Sequence, residues 1–144
     1  VTKPKPAKPS REAKPSLSDR LAALGEKAKA LHEPTDLLNE RLTQAERALQ
    51  GLNLGVSASV IIDADVYLMW GKDTSKWGLF SARVGSSKEV PLLNCSRNVR
   101  VHAAKALPKL LEALADKVEQ DADAVHEAIE SVDEFLALFV EEST

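Results

Sequence analysis

The segment from Ala58 to Trp70, ASVIIDADVYLMW, alternates along its whole length. Ala58, Val60, Ile62, Ala64, Val66, Leu68 and Trp70 share one parity, and Ser59, Asp63, Asp65 and Tyr67 share the other with Ile61 and Met69. A period of two sends successive side chains to opposite faces of a pleated chain, so the segment predicts a strand with one face on a core. The sequence on either side has a helical period instead. The chain is therefore predicted to be α+β: a small antiparallel β-meander of about three strands, between an N-terminal helical hairpin or kinked helix and a long C-terminal helical arm.

Working outward, Asp63-Ala64-Asp65 predicts a bend, because Asp is poor in strands. Residues 71–76 (GKDTSK) form a turn-rich connection, and Trp77–Val84 (WGLFSARV) is a second strand. Trp70 and Trp77 flank that connection and are expected to pair across it. After Gly85-Ser86-Ser87, residues 89–93 read as a short third strand, which Pro91 marks as an edge or an end. The meander is placed at 56–93. It needs a helix over its apolar face to be stable.

N-terminal to it, helices are placed at 18–50, with Ser18 as N-cap and Asp19 in the first turn. Leu21, Leu24, Ala28 and Leu31 are spaced 3-4-3, and Leu38, Leu42, Ala45 and Leu49 are spaced 4-3-4. Pro34 lies between the two sets. An interior proline costs about 3 kcal/mol, so a kink or a second helix starting at Thr35 is expected. Gly51 ends the pattern.

C-terminal to the meander, helices are placed at 96–141, capped by Asn94 or Ser96. Pro108 interrupts the first turns. Leu111, Leu114, Val118, Ala122, Val125, Ile129, Val132, Leu136 and Phe139 then follow a heptad with one stutter. A continuous helix over 108–140 would be about 50 Å long, more than three short strands can cover. Its stripe needs the N-terminal helices, a second copy or another protein, unless the helix breaks near residues 120–123.

Residues 1–16 hold four of the seven prolines with lysines between them, and predict a disordered basic tail ahead of a single domain at 17–144. Charge is unevenly divided: +4 over residues 1–16, +3 over 17–111 and −10 over 112–144, netting −3. The lone Cys95 excludes an internal disulfide and fits a reducing compartment such as the cytoplasm. No apolar run reaches the length of a membrane span, so no membrane association is expected.

Few residues suggest chemistry. Asp63 and Asp65 stand two apart on one strand face, but nothing nearby completes a cation site. Cys95 and His102 are too far apart on a helix for direct contact. No phosphate loop, hydrolase elbow or metal motif occurs, so no catalytic residue, cofactor or metal is expected. Lys72, Lys76, Arg83, Arg97 and Arg100 lie around the meander with Tyr67 as the exposed aromatic, a candidate nucleic-acid contact. Arg97 and Arg100, three apart on one helical face, are expected rather to pair with acids of the C-terminal arm than to grip a phosphate. Helix–meander–helix order with heptad arms is similar in outline to coiled-coil chaperone subunits of the prefoldin type, but the acidic arm and the two interior prolines depart from that pattern. The expected function is a non-enzymatic interaction or assembly module, an oligomer or a subunit of a complex. Leu111, Val118, Val125, Ile129, Val132 and Leu136 would carry the contact. The alternative is a nucleic-acid-binding accessory protein using the basic tail and meander.

Overall fold

The structure, a computed structural model, describes residues 15–142. The basic tail expected at 1–16 lies outside the described residues up to residue 14. Helix α1 spans Leu17–Gly51, strands β1 Ala58–Asp63, β2 Val66–Asp73, β3 Lys76–Arg83 and β4 Val90–Pro91, a 3-10 turn Leu92–Asn94, and helix α2 Arg97–Glu142. The sheet is antiparallel in the order β1-β2-β3-β4. The α+β class is as expected, with four strands where about three were predicted. By internal packing the chain divides into two units, residues up to Leu38 and residues from Asn39.

In the first unit, the N-cap is Ser16 rather than Ser18: its Oγ accepts a bond from the Asp19 amide at 3.0 Å. The expected break at Pro34 is absent, and the helix runs through it. Pro34 is exposed, so water reaches the carbonyl that its missing N–H leaves unpaired. Thr35 does not start a helix; its hydroxyl donates to the Leu31 carbonyl at 2.6 Å.

In the second unit, the thirteen-residue alternation is a hairpin and not one strand. Ala58 faces Trp70, Val60 faces Leu68, and the chain reverses at Ala64-Asp65, with a register shift between Ile61 and Asp63. Ala64 takes a positive φ of 38° in this turn. Asp63 and Asp65 therefore share no strand face: Asp63 ends β1 and Asp65 lies in the turn, where its carboxylate is 4.0 Å from Arg83. In the second hairpin, Asp73 faces Lys76, Trp70 faces Leu79 and Leu68 faces Ser81. Trp70 and Trp77 stack as expected, 6.3 Å apart with 16° between their planes. Pro91 lies on the edge strand β4, also as expected.

Helix α2 packs on β1 and β2. Leu68, Trp70, Leu79, Leu92, Ala103, Ala106, Leu110 and Leu114 are buried, and Leu42 joins them from α1. Ser96 caps α2 through its Oγ and the Val99 amide. Pro108 does not interrupt this helix. Burial of Leu110 and Leu114 supplies about 3–6 kcal/mol, which offsets the cost of about 3 kcal/mol for an interior proline.

Only Phe80 and Ser81 of β3 pair with β4. Where β4 stops, α1 supplies side chains to the strand edge instead. Glu46 Oε2 accepts from the Leu79 amide at 2.9 Å, and Gln50 Nε2 donates to the Trp77 carbonyl at 2.7 Å. The two side chains stand one helical turn apart and continue the ladder along the odd-numbered residues of β3. An open edge would invite pairing with another chain, and these two side chains occupy groups on this one.

Candidate interaction surface

Leu114 is the last buried residue of α2, and every side chain from Ala115 to Val140 is exposed. The arm therefore does not pack within its own unit among the described residues, although intrachain packing was one of the expectations. Leu111, Val118, Val125, Ile129, Val132 and Leu136 are 36–57% exposed. At 100° per residue, the stripe from Val118 to Phe139 occupies a sector of about 100°, and Asp116, Asp123, Glu127, Glu130 and Glu134 centre about 160° away. Most of the arm's acids thus lie away from the apolar stripe, while Asp121 shares the azimuth of Phe139 and Asp133 lies about 20° beyond Ala122. From Leu111 to Phe139 the stripe is about 42 Å long. At its tip, Phe135 and Phe139 meet edge to face with centroids 4.9 Å apart.

At its base, the stripe runs into an open apolar groove of ≈ 350 Å³ between the end of α1 and the first turns of α2. Ala45, Ala48 and Leu49 form one wall, and Leu107, Pro108, Leu110 and Leu111 the other. The alanines leave the space. Leu111 belongs both to the groove and to the predicted contact set. The remaining groove residues were not singled out from sequence, since α1 and α2 only meet in three dimensions. Glu46 and Gln50 were missed for the same reason, and their spacing of four was the one available signal.

The cationic candidates do not gather. Lys72 and Lys76 are exposed at the β2–β3 turn. Arg83 stands opposite Val66 at the far end of the same strand pair, six residues or about 20 Å away. Arg97 is exposed at the start of α2. Arg100 is half-buried and donates through Nη1 to Asn39 Oδ1, with its Nε buried and unpaired. Among the described residues, neither arginine pairs with an acid of the arm, contrary to expectation. Tyr67, expected to be exposed, is half-buried.

Cys95 precedes the Ser96 cap, with its Sγ 3.5 Å from the Pro91 carbonyl. Burial pushes this thiol up from its usual pKa, against the opposing pull of a hydrogen bond with Ser81 and the charge of Arg100. His102 bonds through Nδ1 to Asn98 of its own helix at 2.8 Å, away from the cysteine. No group of three or more His, Cys, Asp or Glu side chains suited to a metal ion occurs among the described residues. No helix there is long and apolar enough to cross a membrane. Comparison with protein-family models, with curated proteins and with solved structures found no match to this chain.

Proposed function

We propose that this chain is a non-enzymatic protein-interaction module that assembles with itself through the apolar stripe of α2. The observation that carries the reading is the unburied stripe beyond Leu114, about 32 Å long from Val118 to Phe139, with most of the acids turned away from it. An amphipathic helix normally buries such a stripe. Six half-exposed Val, Leu and Ile side chains would each return about 1 kcal/mol on burial. A pair of copies then gains about 12 kcal/mol, against an association cost of about 4–15 kcal/mol. That range is where self-association becomes favourable once further apolar surface is added, and the groove at the stripe's base supplies it. The face-wise separation of charge also weakens the objection to like meeting like, since most of the acids behind the net charge of −10 on residues 112–144 lie away from the stripe, with Asp121 and Asp133 the exceptions at its edges.

Light scattering on a sizing column, across a range of protein concentration and salt, tests this. The expected result is a mass that is a multiple of 15.6 kDa. A particle of 15.6 kDa at every concentration would overturn it.

A further inference from the structure

We infer that two copies join through α2 in antiparallel register, about a two-fold axis at Val125, with the aromatic tip of each arm seated in the groove at the base of the other. This rests on the reading of the arm as a self-assembly surface and adds its geometry.

The apolar stripe is a palindrome about Val125. Counting outward, apolar residues stand at three, seven, eleven and fourteen positions in both directions: Ala122 and Ala128, Val118 and Val132, Leu114 and Leu136, Leu111 and Phe139. In an antiparallel pair of identical helices, facing positions have a constant sum, and a two-fold axis makes each contact occur twice. Centred on Val125, small meets small at three positions, valine meets valine at seven and phenylalanine meets leucine at fourteen, while at eleven Leu136 stands over Leu114, which is buried in its own unit. A parallel pair sets each residue against its own copy and makes no use of this symmetry. Ile129 is the exception, opposed by Asp121. The two sit about 40° to either side of the line through Val125, on the same azimuths as Leu111 and Phe139, so this register sets one carboxylate of each chain beside Ile129 of the other copy.

The same register accounts for the groove. Phe139 stands opposite Leu111, which lines the groove of ≈ 350 Å³. Ala45 and Ala48 leave there the space that a phenyl ring occupies. Phe135 and Phe139 are each 56% exposed in the single chain and already packed against one another as a unit. Leu114 is buried in its own unit, so contact between copies resumes on either side of it, at Leu111 in the groove and at Val118 on the arm. In a parallel pair the two tips would meet each other and both grooves would remain open, about 42 Å away.

Single cysteines in the full chain test the register. In a Cys95→Ser background, Leu111→Cys, Val125→Cys and Phe139→Cys are made separately, checked for parental helicity by circular dichroism, and treated with a short bis-maleimide. The expected result is that Val125→Cys links to itself, Phe139→Cys does not, and a mixture of Leu111→Cys and Phe139→Cys yields a mixed dimer. Self-linkage of Phe139→Cys without the mixed product would overturn the antiparallel inference and leave self-assembly standing, as would an oligomer giving neither product. A parent chain that scatters light as a 15.6 kDa monomer would overturn both.

Discussion

Replacing both Val125 and Ile129 with Asp is expected to separate the copies. The two side chains are 57% and 50% exposed in the single chain, so assembly can remove about half of each from water. Full burial of a Val or Ile is worth about 1.5–3 kcal/mol, hence about 1 kcal/mol for the part at stake in each. Two side chains on each of two protomers make about 4 kcal/mol, or about a thousandfold in the dissociation constant. The introduced carboxylates add to this, because an unpaired charge in an apolar seam costs several kcal/mol. The fold of each chain should survive, since both positions lie beyond Leu114, the last buried residue of α2. Light scattering reads the mass and circular dichroism reads the helix. Glu130→Lys, on the acidic side of the arm, serves as the control and should leave the mass unchanged. A doubly substituted chain with the parent's native mass would refute the assignment of the stripe as the contact surface.

Three further outcomes follow from the second unit. Glu46→Ala removes the acceptor for the Leu79 amide and should lower stability by about 1–3 kcal/mol in urea titration, while Glu46→Gln keeps an acceptor and most of the stability; equal midpoints for parent and Ala variant would contradict this bond at the β3 edge. Ala64→Gly relieves the positive φ of 38° in the β1–β2 turn. Left-handed backbone costs an alanine about 1–2 kcal/mol, and the looser unfolded chain returns about 0.4–1, so a net gain of about 0.5–1 kcal/mol is expected and a loss would count against the turn. The Cys95 thiol should react with iodoacetamide at pH 8 more slowly in the folded chain than in urea, because burial raises its pKa. The matching stabilisation is complete below the unfolded thiol's pKa and is lost as pH rises through the folded value. A folded rate above the unfolded one would reverse that assignment.

The α+β order was legible because the period changes from 3.6 to two and back. The first hairpin was hidden by its own register. Ala58 faces Trp70 and Val60 faces Leu68, so even-numbered residues stay on one face through the reversal, and one strand or two give the same alternation. Length was the usable signal, since thirteen residues in a single strand would extend about 43 Å. The second hairpin was legible because Gly71 to Lys76 breaks the pattern with turn residues. Neither proline breaks its helix, for different reasons: the turn at Pro34 is exposed, so water serves the freed carbonyl, whereas at Pro108 what outweighs the local cost is not local. At Pro108 it is the burial of Leu110 and Leu114. The arm stripe was readable from heptad spacing alone. Its emptiness was not, because the sequence held enough helix to cover it from within and did not say which helix would turn toward it. Likewise, the cations of the meander look clustered in sequence, yet an antiparallel pair sends Lys72 and Arg83 to opposite ends.

Closure of the stripe bears on the arm's own order. The first turns of α2 are fixed by the sheet, so the costly nucleus of the helix is already formed at Leu114. Beyond it, each added turn rests on backbone bonds whose propagation is close to neutral, and its side chains from Ala115 to Val140 are exposed. The point at which the arm frays is then set by whatever covers the stripe. For a chain that covers itself, that makes helix content a function of concentration: dilution should unwind α2 from its C-terminus, and accumulation should wind it up. The abundance of the protein would thereby be written into the length of one helix.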